Sequence, residues 1–233
     1  MSKSITHALI GRAIQEGLLD PGKPPKVPEW SDPQAPRRKI RVDQLLRMNS
    51  GLAFEESTGT LNSDLVRMLT QEADMAGFAA SQPLSKKPGK KWSYSSGTTN
   101  ILSRILRHAI DDDQRYWSFP RQALFAPLGM TTAVLENDNS GTLVGSSLVW
   151  ASGRDWARFG QLYLWIRAAG MASNFCPQPG FDRHGRRRGD QNRPMARTGG
   201  SAAANQGRIC PMTAFQLRAI RDNFFWWLHP SAR

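Results

Sequence analysis

Apolar residues recur at helical spacing from the start of the chain. Ile5, Leu9 and Ala13, with Ile10 and Ile14 beside them, form one face of a helix expected over Met1 to Leu19. Asp20-Pro21-Gly22 is its expected stop, and Lys23 to Pro36 reads as a proline-rich surface connection. Val42 to Met48 is a short helix closed by Asn49-Ser50-Gly51, with Gly51 the expected left-handed cap. Leu61 to Phe78 carries helical periodicity again, and Ser81 to Gly89 is a loop. The strongest helix is Thr98 to Ile110, which turns Ile101, Leu102, Ile105, Leu106 and Ile110 inward.

Beyond it the pattern shortens. Gln122 to Leu128 reads as a short helix stopped by Pro127-Leu128-Gly129. Thr131 to Leu135 and Leu143 to Ala151 read as strands joined through the turn Asn137-Asp138-Asn139-Ser140-Gly141. Ser152 caps a last helix running through Leu164, with Asp155 placed as in a capping box. After Leu164 the pattern is lost. Phe181 to Arg197 is nearly devoid of apolar residues, and Phe224 to Leu228 is an apolar cluster with little around it to build a core.

Composition sharpens that break. The chain has 233 residues and a formal charge of +12. Residues 1–164 hold 20 Lys+Arg against 16 Asp+Glu, whereas residues 165–233 hold 11 against 3, and all 11 are Arg. The basicity therefore belongs to the tail, and a nucleic-acid-binding reading rests on charge alone. No apolar run is long enough to span a membrane, and the N-terminus lacks a secretory pattern, so the compartment stays open. Cys176 and Cys210 form no disulfide framework, and His7, His108, His184 and His229 show no zinc spacing, so no metal is expected.

The candidate chemistry lies in Lys90-Lys91-Trp92-Ser93-Tyr94-Ser95-Ser96-Gly97, a basic loop with a tyrosine among small hydroxyl residues at the mouth of a helix. Buried hydroxyls need partners, so such a run is poor core material. A tyrosine there can carry a proton, or can simply anchor a capped helix start. Four segments join it: Lys3-Ser4 at the head of the first helix, Leu45-Leu46-Arg47-Met48-Asn49-Ser50-Gly51-Leu52, Leu124 to Met130, and Gly145-Ser146-Ser147. With Ala151 to Leu164, these segments resemble the serine β-lactamase and penicillin-binding protein superfamily. The likeness is to its branch of class C-like esterases and 6-aminohexanoate-dimer hydrolases, and it covers roughly residues 1–164 in family order.

The resemblance implies an α/β (α+β) fold, an antiparallel sheet flanked by helices with a helical region bearing Tyr94. Here the sheet is expected to be incomplete and to leave an edge exposed. It also implies a serine hydrolase that cuts an amide, ester or lactam of a small-molecule acyl substrate through an acyl-enzyme, without a cofactor. Lys3 matches the lysine of the family's S-x-x-K motif, and Tyr94 matches its proton-relay tyrosine. Ser96 falls where a substrate-orienting asparagine is usual. A cation beside a phenol is expected to make each easier to deprotonate.

Two departures qualify the activity. The position three residues before Lys3 precedes Met1, and Ser2 has the wrong spacing, so the chain is expected to be N-terminally truncated and inactive. A non-catalytic remnant is the alternative reading. The family's third motif has no counterpart: Arg197-Thr198-Gly199 sits among residues that make no central strand. Residues 165–233 are expected to be a disordered or out-of-frame tail. Read one base early, codons for Gly170 to Gly180 can encode N-G-K-Q-[LF]-L-P-x-A-W, which resembles the family's continuation.

Overall fold

The helix α5 (Ser96–Ile110) is the element on which most of the other helices pack. The computed structural model describes residues 1–171, with side chains described through 164. The expectations for Arg197-Thr198-Gly199 and Phe224 to Leu228 lie outside the described residues.

Helix α5 starts two residues before the expected Thr98, because Ser95 caps it. The Ser95 hydroxyl accepts the Thr98 N–H at 3.0 Å, satisfying a free donor of the first turn. Its buried face carries Ile101, Leu102, Ile105 and Leu106, each at most 2% exposed. Each such side chain contributes about 1.5–3 kcal/mol on burial. Asp111 ends the helix in the left-handed region at φ 54°.

Helix α1 (Ser2–Gln15) packs on α5 and ends earlier than the sequence suggests. Gly17 adopts φ 76°, Leu18 N–H bonds the Ala13 carbonyl at 2.9 Å, and Gly17 N–H bonds that of Ile14 at 3.1 Å. This paired closure satisfies the last carbonyls before Asp20-Pro21-Gly22 is reached. The connection after it is not all surface. A 3-10 turn over Pro28–Trp30 buries Trp30, whose indole N–H donates to the Ala80 carbonyl at 2.9 Å.

Helix α2 (Val42–Leu46) closes on an unexpected residue. Met48, not Gly51, takes the left-handed cap at φ 55°, with Asn49 N–H on the Gln44 carbonyl and Met48 N–H on that of Leu45. Its side chain is buried, which offsets the strain of that backbone. Gly51 is also left-handed, at φ 82°, for a different reason: a Cβ there would collide with the Lys86 carbonyl. That close approach accompanies the isolated bridge between Leu52 and Leu84.

The periodicity of Leu61 to Phe78 resolves into two helices, α3 (Asp64–Thr70) and α4 (Met75–Ser81). The break is at Asp74, whose carboxylate caps α4 by accepting the Gly77 N–H at 2.8 Å. Helix α6 (Asp113–Pro120), which the apolar pattern did not reveal, runs directly into a π turn over Arg121–Phe125. Pro120 has no N–H, so it cannot supply the regular bond there.

Strands β1 (Val134–Leu135) and β2 (Val149–Trp150) pair antiparallel, Val134 with Trp150 and Leu135 with Val149. A further bridge joins Asn137 to Leu143. Among the described residues the sheet has these two strands, a fragment of the expected one. Tyr116 ties it to the helices: its buried hydroxyl donates to the Ser103 carbonyl and accepts the Leu143 N–H.

Helix α7 (Gly153–Met171) begins with half of the expected capping box. The Ser152 hydroxyl accepts the Asp155 N–H, but the Asp155 carboxylate turns to Thr132, accepting both its N–H and its hydroxyl. Thr132 Oγ1 in turn accepts the Ser152 N–H. The reciprocal arm of the box therefore runs through a threonine of the preceding turn.

Candidate active site

The first turn of α1, the start of α5 and the 145–147 turn meet at one point. Lys3 comes from the first of these, and its Nζ donates to Ser96 Oγ at 2.9 Å and to the Ser146 carbonyl at 3.1 Å. It also lies over the Tyr94 ring, 4.7 Å from the centroid, in cation–π contact. Lys3, Tyr94 and Ser96, singled out in sequence, are thus brought together.

Each partner is held by its own local structure. Ser96 opens α5, fixed by the Ser95 cap just before it. The 145–147 turn is pinned to α1 and α5. Thr6 Oγ1 donates to the Gly145 carbonyl at 3.0 Å, and the Asn100 side-chain carbonyl accepts the Ser146 N–H at 3.1 Å. Gly145 is required by crowding: a Cβ there would strike the Thr6 hydroxyl and approach Ser103 Oγ to 2.6 Å. Ser2 Oγ donates to the Ser147 carbonyl at 2.9 Å, which keeps that hydroxyl on the turn's backbone. Tyr94 lies at the rim, 36% exposed, its ring 6.5 Å from that of Trp92.

One residue of the site escaped sequence reasoning. Glu56 Oε2 accepts the Ser96 N–H at 2.7 Å, and its Oε1 accepts the Ser96 hydroxyl. Glu56 sits in a polar loop after Phe54, where no periodicity marks it. The loop is tied down by α3: Asp64 accepts the Glu55 N–H at 2.8 Å, and the Glu55 carbonyl accepts the Leu65 N–H at 3.1 Å. Gly97 lets it close in, because a Cβ there would lie 2.6 Å from the Phe54 ring and 2.9 Å from Ala79.

The electrostatics correct one expectation. Burial lowers the Lys3 pKa, and the Glu56 carboxylate partly opposes that. For Tyr94 both burial and Glu56 push the hydroxyl above its ordinary value, so the phenol is not eased toward phenolate. The reason is geometric: Lys3 faces the ring rather than the hydroxyl, and the site holds an anion the sequence did not reveal. A neutral lysine has two N–H groups and one lone pair. The two oxygens already on Lys3 can take both N–H groups and leave the lone pair free. One turn along α1, His7 is buried with its Nε2 unpartnered among the described residues, and its pKa is lowered to about 4 by burial and by Lys3.

Among the described residues no group of His, Cys, Asp and Glu is arranged to hold a metal, and no helix is long and apolar enough to cross a membrane.

Residues 1–206 match the family model described as Beta-lactamase, a span that reaches past Leu164. No curated protein matches the chain. Among solved structures it is similar to a protein described as a 6-aminohexanoate-dimer hydrolase from Bacillus anthracis. Identity is 21% and the TM-score 0.58, over 70% of this chain and 46% of that one. It is also similar to a beta-lactamase/D-alanine carboxypeptidase from Yersinia pestis, at 20% identity and TM-score 0.53, over 70% and 51% of the two chains. A third likeness is to the D-amino acid amidase of Ochrobactrum anthropi complexed with D-phenylalanine. There identity is 18% and the TM-score 0.53, over 71% and 55%. The chain spans about half the length of these structures, and at such identities they show the fold.

Proposed function

The chain belongs to the β-lactamase family, and from that premise we propose that its described residues carry the proton-relay side of an acyl-transfer site. The reaction is hydrolysis of an amide, ester or lactam of a small acyl substrate through an acyl-enzyme. In this reading Lys3 takes the proton of the attacking serine, Tyr94 relays it toward the leaving group, and Ser96 orients the substrate and the lysine. The observation that carries it is the placement of Lys3 Nζ between Ser96 Oγ and the Ser146 carbonyl, over the Tyr94 ring. A desolvated lysine, whose proton is more easily released, suits a base at that point.

The serine that the S-x-x-K motif sets three residues before the lysine is not among these residues. The reading therefore gives residues 1–164 the relay and gives the attack to a serine at that motif position. The test is covalent labelling with a fluorophosphonate and with a fluorescent penicillin. The 233-residue chain by itself should stay unlabelled. A form with a serine placed three residues before Lys3 should be labelled there, and should lose the label with Lys3→Met. Labelling of the 233-residue chain by itself, or labelling of the added serine that ignores Lys3, would overturn the assignment.

The division at Leu164, with a non-family tail over residues 165–233, belongs to the same proposal, and the family match through residue 206 and the continuation of α7 to Met171 stand against it. Sequencing the gene across the codons for residues 165–180 tests it: a single-base correction supports the division, and an unchanged frame removes it.

A further inference from the structure

The hydrogen bonds around Ser96 have a direction that the geometry allows to be read. The backbone N–H of Ser96 can only donate, and it donates to Glu56 Oε2 at 2.7 Å. An ionised carboxylate can only accept, so the hydroxyl directed at Glu56 Oε1 must donate to it. Ser96 has one hydroxyl proton, and Glu56 holds it. Toward Lys3, 2.9 Å away, Ser96 therefore presents a lone pair, and Lys3 must donate.

We propose that Glu56 is a positioning residue that sets the polarity of the chain Lys3→Ser96→Glu56, turning a Ser96 lone pair toward Lys3 and holding Lys3 as the donor. It acts through Ser96 and touches no reacting atom. The proposal deepens the reading of Lys3 as a base, by naming the residue that governs how readily Lys3 gives up its proton. Replacing the carboxylate by an amide changes the logic. A glutamine can accept the Ser96 N–H with its carbonyl and donate its NH2 to Ser96 Oγ. The hydroxyl proton is then free to turn toward a neutral Lys3 and be accepted by its lone pair.

Two further features support a built arrangement rather than a chance surface pair. Glu56 reaches Ser96 only because Gly97 has no side chain to hold Phe54 off, and the loop bearing Glu56 is tied at Glu55 to the start of α3. The carboxylate also sits at the N-terminal end of α5, where the helix dipole favours an anion. Glu56 is the charged group that acts on Lys3, which lies over the Tyr94 ring and itself acts on His7 and the Met1 amine. Of these groups only Glu56 is altered in the variants below, apart from Ser96 itself.

The test is an NMR titration of lysine side-chain 13Cε and 15Nζ signals in the full chain, with Lys3 assigned by its loss in Lys3→Met. In Glu56→Gln the Lys3 midpoint should fall by about one unit, a tenfold loss of proton affinity. Ser96→Ala should give a smaller fall, and the double variant should be non-additive, because both act on one chain of bonds. Glu56→Asp, one methylene shorter, should behave like Glu56→Gln if reach is what matters. An unmoved midpoint in folded Glu56→Gln, or strictly additive shifts, would overturn the proposal. If Glu56→Gln fails to fold, an unmoved midpoint in Ser96→Ala overturns it equally. None of these readouts needs hydrolysis, so failure here is separate from failure of the labelling test.

Discussion

Lys3 and Ser96 lie 93 residues apart in the chain and 2.9 Å apart in the structure, joined by one hydrogen bond across the packed helices α1 and α5. Ser96 is buried and bonded on both sides, so it has more than one neighbour to leave unsatisfied. Ser96→Ala removes the hydroxyl and deprives Lys3 of an acceptor and Glu56 of a donor. The expected loss is about 1–3 kcal/mol, to be read from urea unfolding at pH 7. A change of a few tenths would mean that water replaces the hydroxyl without penalty.

Acid should destabilise the fold through His7. Its folded-state pKa is about 4 against an ordinary 6.5, so folding favours the neutral ring. Between these values the unfolded chain binds the proton and the folded chain does not. The stabilisation is therefore complete above pH 6.5 and is lost as pH falls toward 4. At about 1.4 kcal/mol per unit the loss approaches ~3 kcal/mol. Unfolding curves at pH 7.5 and 4.5 should show it, and His7→Leu should flatten that part of the profile. An unchanged slope in that variant would assign the acid sensitivity elsewhere.

Gly97→Ala should damage the site without touching it. The new methyl meets the Phe54 ring and Ala79, and in a packed interior such crowding costs about 1–3 kcal/mol. Phe54 is two residues from Glu56, so relief of the clash should also draw the carboxylate away from Ser96. The combined reading is a lowered melting temperature together with a lowered Lys3 midpoint. Loss of stability with an unmoved Lys3 would show that the Glu56 loop yields independently of Phe54.

Gly145→Ala should act on the opposite wall. Its methyl would collide with the Thr6 hydroxyl and crowd Ser103, breaking the Thr6 bond to the Gly145 carbonyl. A loss of about 1–3 kcal/mol is expected. The Ser146 carbonyl should also shift from Lys3, seen as a displaced Lys3 15Nζ signal. Thr6→Ala combined with Gly145→Ala should recover part of the stability, since it removes the nearer clash. No recovery would place the strain at Ser103.

The helices were legible wherever one face repeats. Ile101, Leu102, Ile105 and Leu106 define α5, and a serine cap marks its start, because periodicity and capping act within a few residues. The ends were less legible. Met48 occupies a left-handed cap that composition assigns to glycine, since burial of its side chain outweighs the backbone preference. The break between α3 and α4 turns on Asp74 folding back to Gly77, which no apolar pattern records.

For the site, the sequence by itself determined the family and drew attention to Lys3, Tyr94 and Ser96, because short motifs carry their chemistry in adjacent residues. Only the tertiary structure decided that Lys3 faces the Tyr94 ring instead of its hydroxyl, and that Glu56 closes the chain of bonds at Ser96. Those relationships depend on how closely three distant segments approach one another. That closeness is set by the missing side chains at Gly97 and Gly145, whose effect appears only when the segments are packed together.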